Sequence, residues 1–129
     1  TLRAQDKGLY LFSIPKKKFA IKPDIVITDK NNGTITILDT KWKLLSPQYH
    51  NFGISQADMY QMYVYGKKYH AKEVILLYPL NEYVKDCQDN IAFTSDDGVI
   101  VKVRFVDLRN AKRSLSFGEI LFEKLSVHA

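Results

Sequence analysis

The sequence is poor in the residues that mark several common protein classes. Its single cysteine, Cys87, excludes an intrachain disulfide and a zinc site built on cysteine pairs, and it favours a reducing compartment, the cytoplasm. The longest apolar run, residues 74–80, is far below the roughly 18 residues of a membrane-spanning helix. Only six glycines and four prolines occur, without a linker or an internal repeat. We therefore expect neither a membrane partner nor a division into several domains.

What is present indicates one folded domain. The 129 residues are about one domain's length, and 46% hydrophobic residues are enough for a packed interior. Because the chain begins at Thr1 rather than at a methionine, we expect residues 1–129 to be a single domain taken from a longer protein. The net charge of +5 favours an anionic partner, nucleic acid before membrane.

Hydrophobic periodicity predicts a mixed α/β fold. Apolar residues alternate over residues 19–28, and Asn31-Asn32-Gly33 then leads to a β-rich run, so two strands joined by a two-residue turn are expected. A nearly continuous apolar run typical of a central strand ends at Pro79. The element order is ββαβββα, which predicts a mixed central sheet flanked by helices. The predicted strands are residues 19–28, 34–45, 74–78, 91–94 and 99–106. The predicted helices are residues 54–69, with Ser55 as the N-cap, and residues 114–127.

Charged residues on the first two predicted strands are expected to meet on one face. Asp39 and Lys41 are two residues apart, so their side chains project to the same side of a strand. If Asn32-Gly33 form the turn, Asp24 lies opposite Lys41; if the turn is Asn31-Asn32, Asp24 lies opposite Asp39. Both registers keep the three charges together, and only a three-residue turn without a compensating bulge would separate them.

Such a cluster suits a magnesium site. Mg²⁺ prefers hard oxygen ligands, and Asp24, Asp39 and the Thr40 carbonyl are expected to provide them. Lys41 has no acceptor while charged, so it is expected to orient the attacking water or to offset charge on the phosphate. The implied reaction is metal-assisted hydrolysis of a phosphodiester. The alternative from spacing alone is a surface salt bridge, which would stabilise the fold only slightly.

At these residues the sequence resembles the PD-(D/E)xK nuclease superfamily. Pro23-Asp24, a gap of fourteen residues and Asp39-Thr40-Lys41 carry the resemblance. More narrowly, the sequence is similar to the C-terminal nuclease domain of McrC-type subunits of McrBC 5-methylcytosine restriction systems, in the segments IKPDIVI, ILDTKWK, SQADMYQMYVYGKKY and VILLYP. The resemblance implies a restriction-endonuclease-like fold, Asp24 and Asp39 as metal ligands for Mg²⁺ or Mn²⁺, and Lys41 as the catalytic lysine.

The resemblance also implies a helical motif and a set of partners. Related nucleases carry Q-x-x-x-Y on the helix after the catalytic strand, which Gln61 and Tyr65 match; Gln56 and Tyr60 match it as well, and we favour the first pair. The partners implied are double-stranded, methylated DNA and an McrB-like AAA+ GTPase subunit. An acidic residue on a helix before the first catalytic strand, common in the superfamily, has only Asp6 as a candidate here.

Two competing functions remain open from the sequence. The chain is either a Mg²⁺-dependent DNA endonuclease or a noncatalytic DNA-binding or subunit-docking module on a degenerate nuclease fold. Another enzyme of the superfamily, such as a repair exonuclease or a junction resolvase, is a third reading. Trp42, between two lysines, is expected to lie in the core on the opposite face of the sheet. Three basic groups are possible phosphate contacts or solvated faces: Lys16 to Lys18, Lys67 with Lys68, and Lys112 with Arg113.

Overall fold

The protein is built around a mixed six-stranded sheet. The computed structural model describes residues 1–4, 8–86 and 91–108. Within these residues the strand order is β1-β4-β5-β6-β8-β7, and β2 and β3 form a separate two-stranded hairpin. The β5–β6 and β6–β8 pairs are parallel, and the other pairs are antiparallel. The bounds are β1 Leu2–Ala4, β2 Leu9–Phe12, β3 Lys18–Ile21, β4 Ile25–Thr28, β5 Ile35–Thr40, α1 Gln56–Lys68, β6 Glu73–Pro79, β7 Ala92–Thr94 and β8 Ile100–Val106.

The mixed α/β architecture predicted from the sequence is confirmed. β6 lies between β5 and β8, as expected of a central strand, and it buries side chains on both faces. β7 and β8 form the second predicted hairpin, in which Gly98 (φ +91°) ends the turn after Asp96-Asp97. The helix predicted over residues 114–127 lies outside the described residues. No described helix has the length and apolar character to cross a membrane.

The first predicted strand is wrong in its extent, since residues 19–28 form two strands in different sheets. The chain leaves β3 at Ile21 and enters β4 at Ile25, with Pro23 between them. Proline has no N–H for a strand ladder, so pairing is interrupted there. The second strand is also shorter than predicted, because it ends at Thr40 rather than at residue 45.

The turn between β4 and β5 selects one of the two registers. Thr28 pairs with Ile35 and Ile25 with Leu38, which places Asp24 opposite Asp39. The register built on an Asn32-Gly33 turn is therefore wrong. The side chains of Asp29 and Asn32 close the connection between the strands, Asp29 Oδ1 accepting from Asn31 N–H at 2.8 Å and Asn32 Oδ1 from Thr34 N–H at 3.0 Å.

Helix α1 is the crossover between the parallel strands β5 and β6, and its ends follow known capping rules. The Ser55 hydroxyl accepts from the Asp58 N–H at 3.0 Å, which confirms the predicted N-cap. At the other end His70 has φ +50°, and Ala71 N–H donates to the Gly66 carbonyl at 3.0 Å, the pattern of a Schellman motif. Gly66 lets the helix approach the sheet, because a Cβ there would lie 2.7 Å from Val99 Cγ1.

The core lies mainly between α1 and the sheet. Met62 and Tyr65 of the helix pack with Ile37, Val74 and Leu76 of the strands. A smaller apolar cluster covers the opposite face and contains Ile25, Leu38, Leu77 and Val106. Ile37 and Asp39 are two residues apart on β5, so Asp39 lies on the helix side at the end of this core.

Candidate active site

The two predicted carboxylates meet where β4 begins and β5 ends. Asp39 is 4% exposed, and Asp24 lies in the bend just before β4. Asp24 N–H points at Asp39 Oδ1, 3.4 Å away, while Asp24 Oδ2 accepts from Thr40 N–H at 2.8 Å and from Thr40 Oγ1 at 2.7 Å. The strand register and the break at Pro23 therefore place these groups together.

Lys41 brings its ammonium group to the same place. Its backbone N–H donates to the Leu77 carbonyl at 2.9 Å, which fixes the residue at the end of the parallel ladder. Its Nζ lies 3.0 Å from Asp39 Oδ2 and 3.4 Å from Asp58 Oδ1, and it donates to Gln61 Oε1 at 2.9 Å. Lys41 therefore connects the end of β5 to the first turns of α1.

The two candidate Q-x-x-x-Y pairs differ in position. Gln61 contacts Lys41, and the buried Tyr65 donates its hydroxyl to the Lys22 carbonyl at 3.3 Å, close to Asp24 in the chain. Gln56 and Tyr60 instead hydrogen-bond to each other on the exposed side of the helix. The structure thus brings Gln61 and Tyr65 to the carboxylates, whereas Gln56 and Tyr60 contact each other.

Burial and like charge shift the titration of this cluster. Burial raises the pKa of Asp39, and the neighbouring Asp24 carboxylate raises it further. The hydrogen bond and the positive charge of Lys41 lower this pKa but do not cancel the rise. Burial lowers the pKa of Lys41, but its contacts with Asp39 and Asp58 outweigh that effect and the pKa is raised. The ammonium form of Lys41 is therefore favoured beside these carboxylates.

The donor set fits a hard divalent cation. Lys41 pairs with the carboxylates of Asp39 and Asp58, and the Asp24 carboxylate lies close enough to Asp39 to raise its pKa, so the cluster carries an excess of negative charge. In an extended strand the N–H and C=O of one residue face the same edge, so the Thr40 carbonyl lies on the Asp24 side. Two carboxylates and a carbonyl match the few protein ligands that Mg²⁺ takes. Within the described ranges, no group of three or more His, Cys, Asp or Glu side chains is arranged to hold a metal ion.

Two polar residues near the cluster were missed by the sequence reasoning. Asp58 lies three positions before Gln61, so both occupy one helical face, a spacing that points to it once Gln61 is a candidate. Tyr78 is fully buried, and its hydroxyl has no hydrogen-bond partner within the described residues. Burial raises the pKa of Tyr78, and the negative charges of Asp58 and Asp39 raise it further. No sequence pattern marks Tyr78, which sits in an apolar strand.

One expectation near the site is wrong. Trp42 is 68% exposed and is not a core residue. The strand ends at Thr40, so the alternation of faces that placed Trp42 opposite Lys41 no longer applies two residues later. The candidate acidic residue Asp6 and the basic pair Lys112 and Arg113 lie outside the described residues.

Comparison with known proteins decides the family. A family model described as McrBC 5-methylcytosine restriction system component matches residues 1–79, more than half of the 129 residues. The chain belongs to this family. Asp24, Asp39, Lys41, Gln61 and Tyr65 all lie within the part that matches the McrBC model.

A solved structure shares the fold of this McrBC family member. It is a refined half-complex from the tetradecameric assembly of Thermococcus gammatolerans McrB AAA+ hexamers with bound McrC, and it matches with a TM-score of 0.65 at 18% identity. The match covers 99% of this chain and 28% of the other, so this chain spans little more than a quarter of that length. No curated protein matches the sequence.

Proposed function

We propose that the chain is the DNA-cleaving domain of an McrBC restriction system, an endonuclease that hydrolyses phosphodiester bonds with Mg²⁺. The observation that carries the proposal is the position of Lys41: its Nζ lies 3.0 Å from the buried Asp39, beside Asp24 and in contact with Gln61. A PD-(D/E)xK nuclease requires this arrangement of two carboxylates and a lysine at paired strand ends.

Each residue has a chemical role in the proposed reaction. Asp24, Asp39 and the Thr40 carbonyl would hold Mg²⁺ or Mn²⁺, and the ion would supply Lewis-acid polarisation of the phosphodiester. Lys41, kept protonated by its neighbours, offsets the negative charge that develops on the phosphate. Gln61 holds the Lys41 ammonium group in place. Tyr65 ties α1 to the backbone at Lys22, two residues before Asp24.

The proposed partners follow from the family and the related assembly. The related structure holds McrB AAA+ hexamers with bound McrC. By this relation we propose that an McrB-like AAA+ GTPase selects methylated double-stranded DNA in the cytoplasm and that the present domain cuts it. The domain would be one module of a longer subunit.

The test is cleavage of methylated plasmid DNA by the complete complex with GTP and Mg²⁺. Asp39→Ala and Lys41→Ala should each lower the rate by at least about a hundredfold, the usual cost of removing a group that stabilises transition-state charge. The control is Lys30→Ala, because Lys30 lies in the β4–β5 turn at the other end of the sheet. Circular dichroism checks that the variants fold. Full activity in both site variants would contradict the proposal.

One observation favours a second function, a noncatalytic DNA-binding or docking module. Asp24 Oδ2 already accepts two hydrogen bonds from Thr40, and Lys41 is paired with Asp39, so the polar groups partly satisfy one another as in a structural network. Under this reading Asp39→Ala and Lys41→Ala change stability and leave the cleavage rate of the complex unaltered.

A further inference from the structure

The β2–β3 hairpin is an exposed arm with an apolar surface. Every residue from 11 to 20 is exposed. Ile14 is 86% exposed and Phe19 71% exposed, and the Phe12 and Phe19 rings meet edge to face with centroids 6.0 Å apart. Contiguous apolar side chains on a soluble surface mark an interaction site more often than isolated ones do.

The same arm carries most of the net charge of the protein. Residues 8–22 contain four lysines and no aspartate or glutamate, a net charge of 4 − 0 = +4, whereas the whole sequence has +5. Lys16, Lys17 and Lys18 are adjacent and exposed, and Lys17 Nζ lies 6.0 Å from the centre of the Tyr10 ring. The charge density selects an anionic partner.

A groove lies beside this arm. It has a volume of about 370 Å³, within the range of ligand pockets, and lies between the hairpin and α1. The residues that line it include Phe19 and Lys22 of the hairpin side and Tyr60 and Gln61 of the helix. Gln61 connects the groove to the candidate active site, because it lines the groove and its Oε1 accepts a hydrogen bond from Lys41 Nζ. Asp24, Asp39 and Lys41 themselves do not line the groove.

We propose that the hairpin is a DNA-binding arm and that the groove holds an unpaired nucleobase next to the phosphodiester that is cut. The inference rests on the proposed nuclease function. Lysines beside exposed aromatic rings bind the backbone and the bases of unpaired nucleic acid, because every base has a face that stacks on an aromatic ring. Lys16 to Lys18 bind the flanking phosphates, and Phe19 and Tyr60 contact the base.

The test measures DNA binding by the complete protein in EDTA, so that no cleavage occurs. The probes are a fluorescent duplex and the same duplex with a single-thymine bulge, followed by anisotropy. Phe19→Ala and Tyr60→Ala should weaken binding of the bulged probe at least about fivefold, the lower end of base stacking on aromatic side chains, and affect the paired duplex less. Tyr60→Phe should bind like the original protein, because it keeps the ring and removes only the hydroxyl that contacts Gln56.

The lysines have their own readout. Replacing Lys16 and Lys17 by alanine should weaken the binding of both probes. The slope of log K against the logarithm of the salt concentration should also fall in magnitude by about one for each phosphate that is no longer bound. Lys30→Ala with Lys72→Ala removes the same charge at the far end of the sheet, and Phe93→Ala removes an exposed ring of the edge strand β7; both should bind normally.

Two results would overturn the inference. One is equal binding of the bulged probe by the Phe19→Ala variant, the Tyr60→Ala variant and the original protein. The other is equal weakening by the hairpin and the control lysines, which would indicate a general effect of charge. Because the assay excludes cleavage, either result would leave the proposed nuclease activity to its own test with Asp39 and Lys41.

Discussion

Helix α1 contacts two clusters that each combine aspartate with lysine, and they behave in opposite ways. The first, here called the strand-end cluster, consists of Asp24, Asp39, Lys41 and Asp58. The second, here called the turn cluster, consists of Tyr63, Lys67, Ser95 and Asp97 and joins the helix to the β7–β8 turn. In the turn cluster Asp97 accepts hydrogen bonds from Tyr63 and Ser95, and Lys67 Nζ lies 3.2 Å from it.

The difference lies in burial and in the balance of charge. In the turn cluster, hydrogen bonds from Ser95 and Tyr63 and the contact with Lys67 hold the pKa of Asp97 well below its usual range. In the strand-end cluster, burial and a second carboxylate raise the pKa of Asp39. The ionised form is thus favoured at Asp97 and disfavoured at Asp39. A carboxyl group whose ionised form is disfavoured by its surroundings is more typical of a functional site than of a contact that stabilises the fold.

Metal binding gives the largest expected difference between the clusters. If Asp24 and Asp39 hold a divalent ion, Ca²⁺ or Mn²⁺ should stabilise the protein by about 2.7 kcal/mol at a hundredfold excess over the dissociation constant. Asp39→Asn should remove this stabilisation, and Asp97→Asn should keep it. Thermal unfolding with and without metal measures the shift. Equal metal stabilisation in both variants would remove the distinction between the clusters.

Asp58 gives a smaller test of the same comparison. Asp58 lies in the first turn of α1 and is half-buried, and its Oδ1 is 3.4 Å from Lys41 Nζ. Asp58→Asn should lower the cleavage rate about tenfold, the low end of what removal of an outer partner costs, because one of the groups that position Lys41 is then uncharged. The measurement is single-turnover cleavage by the complete complex, with Asp97→Asn as the control at the turn cluster. An unchanged rate for Asp58→Asn would show that Asp39 and Gln61 suffice to position Lys41.

The sequence predicted the parts of this site that depend on local rules. The buried strand β6, the cap at Ser55 and the proximity of Asp24, Asp39 and Lys41 all follow from apolar periodicity, capping and the alternation of side chains along strands. Asp24, Asp39 and Lys41 share one face of the sheet in either register of the turn, so their proximity did not depend on which register forms. Their catalytic roles are proposals that the cleavage assay tests.

The errors have physical causes that a single sequence does not reveal. The alternation over residues 19–28 ran through Pro23, although β3 is exposed at three of its four residues and belongs to a different sheet from β4. Trp42 was assigned a face by extending a strand past its end. Asp58 was missed because its contact with Lys41 depends on how α1 lies across the sheet, which tertiary packing decides and local propensity does not.

The turn cluster offers the smallest expected effect, and its pH dependence has a defined sign. Because the pKa of Asp97 is lowered in the folded protein, its ionised form adds stability above the ordinary carboxyl pKa of about 3.9, and that contribution is lost as the pH falls below this value. Asp97→Asn should therefore lower the melting temperature slightly near neutral pH, and the difference from the original protein should shrink in acid. The effect is small because the cluster is exposed to solvent. A difference that stays constant down to acidic pH would mean that hydrogen bonding alone, without the charge, holds the β7–β8 turn against α1, and the contrast between the two clusters would then rest on burial and not on charge.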